Sequence, residues 1–109
     1  MKLTKMKCEA CEGGIPPMSK ARAQEHKKEL HKDWKLSSDS KSLSREMKFK
    51  DFAQTIQFVN KVAALAEKEG HHPDLNIHGW NHLGIVLSTH AISGLSMNDF
   101  ILAAKIDQL

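Results

Sequence analysis

Tyrosine is absent from this chain, tryptophan occurs twice and phenylalanine four times, so aromatics make up only 6% of the residues. Any core it builds must be filled by aliphatic side chains and methionine. With two cysteines and no export signal, a disulfide framework is not expected. The opening residues, MKLTKMKCEAC, are charged and lack the apolar segment of a secretory leader, which makes the cytoplasm the expected compartment. No apolar run approaches the ~18 residues a membrane span needs, so no membrane partner is expected. There is no internal repeat, no low-complexity tract and no glycine-rich phosphate loop. The formal charge is +3, and the densest basic stretch, KARAQEHKKELHKDWK, has acids interleaved. That is the pattern of a solvated helix face rather than of a nucleic-acid surface.

At 109 residues the chain is long enough for one core and one domain. Residues 1–17 end in EGGIPP, which neither a helix nor a central strand tolerates, so they read as a loop-rich lead-in to a domain spanning 18–109. Ser19 can cap a helix running to about Leu30 or His31. Trp34 and Leu36 then alternate, SSDSK has turn chemistry, and Leu43, Arg45, Met47 and Phe49 share one face of a second strand. Residues 51–68 are the clearest helix. Phe52, Ile56, Val59, Ala63 and Ala66 form its core stripe, flanked by Phe58, Val62 and Leu65, and Gly70 is suited to a left-handed stop. Leu75 and Ile77 alternate with polar residues, GWNH turns the chain, and LGIVLSTH is rich in β-formers. A last helix opens at Ser96. The order α-β-β-α-β-β-α predicts an α+β fold, a four-stranded antiparallel sheet with helices on one face. Such a sheet leaves edges to manage, and dimerising through them is the natural remedy.

Two groups of residues could carry chemistry. Cys8, Cys11, His26 and His31 fit the spacing of a two-cysteine, two-histidine zinc finger. The intervening EGGIPPMSKARAQE, however, has two prolines, no phenylalanine, and alanine where a core leucine belongs. The expectation is no metal, two free thiols in a mobile lead-in and two exposed helix histidines. The second group is His71, His72, His78, His82 and His90. His71 and His72 follow the C-terminal end of the long helix, where the macrodipole favours protonated imidazole, and Glu67 and Glu69 push the same way. Pro73 holds His72 extended, so the two rings should point in different directions. His90 is read as the end of the strand IVLSTH, on the face of Val86 and Ser88. Asp99, three residues after Ser96, has capping-box spacing, and a carboxylate on a helix's first turn can also face a pocket. Imidazoles and carboxylates without a reactive cysteine or an evident serine nucleophile suit proton transfer without a covalent intermediate.

EKEGHHPDLNIHGWNHLGIVLSTHAISGLSMND, residues 67–99, resembles the pterin-4a-carbinolamine dehydratases. It has their spacing: Glu67, three residues, His71-His72-Pro73, an aromatic at Trp80, His90, then Asp99. CEAC near the start resembles bacterial members that accompany phenylalanine hydroxylase. The resemblance implies the fold just described, assembled into homodimers or homotetramers. It also implies dehydration of 4a-hydroxytetrahydrobiopterin to quinonoid dihydropterin without metal or organic cofactor, in recycling the pterin of aromatic amino-acid hydroxylases. By the same resemblance His71, His72 and His90 are the catalytic histidines. His71 and His90 share the acid and base duties in either order, and His72 hydrogen-bonds the substrate. Glu67 orients or charges an imidazole, and the backbone near Ser88 and Thr89 meets the pterin edge. Gly70 and Asn98 depart from the animal pattern, where an acidic and a basic residue are common. Vertebrate relatives also serve as a dimerisation cofactor for a transcription factor, which leaves a non-catalytic dimeric binding module as the alternative.

Overall fold

The computed structural model describes residues 3–9 and 16–109. Helix α1 (Lys20–Lys27) is capped by the Ser19 hydroxyl, which accepts from the Arg22 N–H. It stops one turn earlier than its composition predicts. Turn-type bonds from Lys28, Glu29 and Leu30 bend the chain and bury Leu30. Strands β1 (Lys35–Leu36) and β2 (Leu43–Lys48) form the expected hairpin, although β1 contributes only two residues. Trp34 lies outside the ladder because its side chain is wholly buried and its indole N–H reaches Asp107 Oδ1 at 2.7 Å. Phe49 likewise leaves β2. Its N–H donates to Asn81 O, and its ring meets Phe58 at 5.3 Å.

Helix α2 (Phe52–Glu69) begins at Asp51, whose carboxylate accepts from the Gln54 N–H. Its burial differs in phase from the predicted stripe. Phe52 is 53% exposed and Ala63 is exposed, whereas Thr55, Val62 and Ala66 are buried. The reason is Thr55. Its hydroxyl donates to Asp51 O at 2.8 Å, so a residue that hydrophobicity counts as polar enters the core with its hydrogen bond made. Val62 of the predicted flank is therefore buried beside Ala66 of the predicted stripe, and Val59, Phe58 and Leu65 pack against the core from both.

Strands β3 (Asp74–His78) and β4 (His82–Leu87) complete one antiparallel sheet in the order β1-β2-β4-β3. Gly79 and Trp80, both at φ 57, make the turn between them. Leu43, Arg45 and Met47 face Leu87, Ile85 and Leu83 across the central pair, and this is the buried side. Val86, on the other side, is 38% exposed. Helix α3 (Met97–Ile106) is buried along most of its length, with Phe100, Ile101, Leu102 and Ile106 in the core shared with the sheet. Residues of this size contribute roughly 1.5–3 kcal/mol each on full burial. At its end Asp107 gathers three donors, the His31 N–H, the Trp34 indole and the Arg45 guanidinium at 2.6 Å. That carboxylate ties α3 to the β1–β2 hairpin and neutralises an arginine on the inner face of the sheet. The lead-in also joins the core. Leu3, in a short 3-10 turn (Leu3–Lys5), is buried in the same cluster.

Candidate active site

Gly70 ends α2 in the left-handed conformation, φ 68, that glycine adopts without penalty. The N–H groups of Gly70 and His71 both reach Ala66 O, so the chain turns sharply and sets His71 against the start of α3. There its Nε2 lies 2.7 Å from Asp99 Oδ1. Asp99 is fully buried, and its other oxygen accepts from the Thr89 hydroxyl at 2.8 Å and the Ser96 N–H at 3.0 Å. The last of these belongs to the capping box that the Ser96–Asp99 spacing predicts. Asp99 is thus both helix cap and histidine partner. An ionised carboxylate only accepts, so the network assigns the His71 proton to Nε2 and leaves the Nδ1 lone pair for other work. The Thr89 hydroxyl has committed its proton to Asp99, so the 2.7 Å contact between Thr89 and Ser96 hydroxyls has Ser96 donating.

His72 points elsewhere, as Pro73 predicts. Its Nε2 lies 2.5 Å from Glu67 Oε2. The two side chains are 61% and 77% exposed, so this pair orients the ring while adding little stability. His90 is not the end of a strand. The β4 ladder stops at Leu87, Thr89 bridges to Gly94 through its N–H at 2.8 Å, and His90 opens a 3-10 turn, His90–Ile92. The run IVLSTH looks uniformly β-forming, but the Thr89–Gly94 bridge closes the loop with Ser93 at φ 53 and lifts His90 out of the sheet plane.

The three histidines nevertheless meet. His71, His72 and His90 line one open hollow of about 290 Å³, together with Ser88 and Thr89. Gly70, Ala91, Glu9 and Asn98 complete its lining. Asp99 sits behind His71, and Glu67 stands outside. A larger hollow of about 390 Å³, between Pro16–Ser19 and the loop leading into α3, is lined by no imidazole or carboxylate.

Sequence reasoning did not place Glu9 and Asn98 in this lining, nor Glu69 as the support for the segment that carries Glu9. Asn98 Oδ1 accepts the Glu9 N–H at 2.9 Å, and its Nδ2 donates to the Glu9 carbonyl. Glu69 turns inward, where Oε1 accepts the Cys8 N–H at 3.0 Å and Oε2 the Lys105 ammonium at 2.9 Å. These two donors, the Cys8 amide foremost, hold its carboxyl below the usual range. The partners are 61 and 89 residues apart along the chain, and no local spacing signals such contacts. Cys8 is therefore docked rather than part of a mobile lead-in. Burial above all, then the Glu69 charge, pushes its thiol up to about 12, which opposes the thiolate a metal would need. Of the other members of the zinc-like spacing, His26 is half-buried with its ring 5.6 Å from Phe100, and His31 accepts the Asp33 N–H. Cys11 lies outside the described residues.

The sequence profile of the family described as Pterin 4 alpha carbinolamine dehydratase matches residues 16–109. The chain belongs to the pterin-4a-carbinolamine dehydratase family. Relatives carrying that family's name include a protein of Nitrosomonas eutropha, 46% identical over 98% of this chain and 92% of its own length. Another, from Rickettsia bellii, is 49% identical over 98% of this chain and 93% of its own. Among solved structures, the transcriptional coactivator/pterin dehydratase of Brucella melitensis superposes with a TM-score of 0.77 at 27% identity, covering 84% of this chain and 96% of that one. A pterin dehydratase-like protein described as a RuBisCO assembly factor in the alpha-carboxysome gives 0.60 at 28% identity, covering 72% and 89%. Both departures from the animal pattern of this dehydratase family have a local reason here. Gly70 holds a left-handed cap, and the Asn98 amide clasps the Glu9 backbone.

Proposed function

We propose that the protein dehydrates 4a-hydroxytetrahydropterin to quinonoid dihydropterin, as a hydro-lyase. In this reading it restores the pterin used by aromatic amino-acid hydroxylases, phenylalanine hydroxylase among them, and works in the cytoplasm. The observation that carries the reading is the convergence of His71, His72 and His90 on one hollow, with a buried carboxylate behind His71. Loss of water needs a base to take the N5 proton and an acid to protonate the departing 4a-hydroxyl, while the N5 electron pair closes the C4a=N5 bond. His71, its Nε2–H anchored on Asp99, accepts the N5 proton at Nδ1, and the carboxylate stabilises the imidazolium that forms. His90, exposed on its turn and able to exchange protons with solvent, gives a proton to the hydroxyl that leaves as water. His72 hydrogen-bonds the substrate near the 4a position. Because the Thr89 N–H is engaged by Gly94, it is the Ser88 backbone of this loop that meets the flat pterin ring.

Stopped-flow measurement of quinonoid dihydropterin formation tests this. His71→Ala and His90→Ala should each lower the rate about 100-fold or more. A wild-type protein that leaves the uncatalysed rate unchanged would sink the proposal and favour the binding-module reading, which the assembly-factor and coactivator descriptions of the two solved relatives support. For assembly we propose pairing through the open edge of β3, giving dimers or dimers of dimers, which light scattering resolves.

A further inference from the structure

We propose that the N-terminal segment supplies a substrate-binding carboxylate, Glu9, which accepts hydrogen bonds from the amino-pyrimidinone edge of the pterin. This inference rests on the dehydratase reading for the identity of the ligand. Its structural basis stands apart from the histidines.

The backbone on either side of the Glu9 α-carbon is fixed by a side chain reaching across from α3. The Asn98 amide takes the Glu9 N–H and gives its own N–H to the Glu9 carbonyl. One residue earlier, the Cys8 N–H is held by Glu69, a carboxylate itself anchored by Lys105, and the Cys8 thiol rests on Asn98 O at 3.6 Å. The segment is thus pinned to the ends of two helices by polar contacts that are largely withdrawn from water. Yet the residue they position is itself exposed, and it lines the same hollow as the three histidines. Among the described residues Glu9 is also the only carboxylate that lines the hollow, since Asp99 lies behind His71 and Glu67 stands outside. The family profile begins at residue 16, beyond this segment.

A hollow otherwise lined by imidazoles, hydroxyls, small residues and an amide can exchange protons and hold a flat ring. Among the described side chains that line it, Glu9 is the one whose two oxygens suit paired N–H donors. The pterin presents such a pair at N3–H and the 2-amino group, and a carboxylate accepts both side by side. Glu9 would thereby fix which edge of the heterocycle faces the N-terminal wall and which atoms reach the histidines.

The test compares wild type with Glu9→Gln, titrating each by fluorescence with 7,8-dihydropterin and with 7,8-dihydrolumazine, which carries a 2-oxo group in place of the 2-amino group. Glu9→Gln should weaken dihydropterin binding about five- to tenfold. It should leave dihydrolumazine binding unchanged or tighter, because glutamine can donate to the 2-oxo group. In turnover the same variant should raise KM by a similar factor and hold kcat within about twofold, as loss of uniform binding does. Equal dihydropterin affinity in the two proteins overturns this inference while leaving the dehydratase reading intact. Parallel weakening toward both ligands also overturns it, since that marks a wall that has merely shifted. A wild-type protein that binds no dihydropterin overturns both.

Discussion

Replacing Asp99 with asparagine changes one atom and should change the chemistry of a different residue. Two donors, the Thr89 hydroxyl and the Ser96 N–H, point at Oδ2, and one, His71 Nε2–H, points at Oδ1. The Ser96 N–H belongs to the backbone and cannot turn away, so the asparagine carbonyl must occupy the Oδ2 side. Its NH2 group then faces His71 Nε2 at the 2.7 Å where a donor already stands. The ring relieves the clash by moving its proton to Nδ1, so that an N–H rather than a lone pair faces the hollow. The loss is that of a general base held in the wrong tautomer, expected to lower kcat about 100- to 1,000-fold, or roughly 2.7–4 kcal/mol of barrier. Losing a charge-assisted hydrogen bond in a fully buried place should also cost about 1.5–3 kcal/mol of stability and lower Tm by roughly 6–12 °C. Assaying well below the new Tm separates the two effects, and the nitrogen chemical shifts of His71 report the tautomer directly. If Asp99→Asn turns over within about threefold of wild type with the proton still on Nε2, the reasoning is wrong.

Three further outcomes follow from contacts away from the histidines. Asp107→Ala removes the acceptor for the Trp34 indole, the Arg45 guanidinium and the His31 N–H at once, and should destabilise the fold by about 3 kcal/mol in urea unfolding. A loss below about 1 kcal/mol would show that solvent replaces those bonds. The Cys8 thiol, raised from 9.0 to about 12, binds its proton more tightly folded than unfolded. Its contribution to stability is therefore complete below pH 9 and is lost as pH climbs toward 12. At pH 8.5 iodoacetamide should label Cys8 at least about tenfold more slowly in the native protein than in urea, read peptide by peptide in a mass spectrometer. Equal rates would mean that the segment is not docked.

The periodicity of residues 51–68, the turn residues at Gly70 and Gly79-Trp80 and the Ser96–Asp99 spacing were enough to name the elements and their order. Where reading by hydrophobicity erred, a polar group had found a partner that local pattern does not record. Thr55 is buried because Asp51 O accepts its hydroxyl proton. His90 left the strand because Thr89 bridges to Gly94 instead of continuing along β2.

The same division applies to the site. Sequence alone determined which side chains could exchange protons, because residue type fixes the chemistry and the short spacing from Gly70 to Pro73 fixes how two adjacent imidazoles diverge. Only the tertiary structure decided that Asp99 stands behind His71 and not His72, and that His90 reaches the same hollow from a separate turn. It alone brought Glu9 and Asn98, joined to each other, into the lining of that hollow. Hydrogen bonds between residues 28 to 89 positions apart depend on how whole elements pack, and packing is a property of the assembled core rather than of any window along the chain.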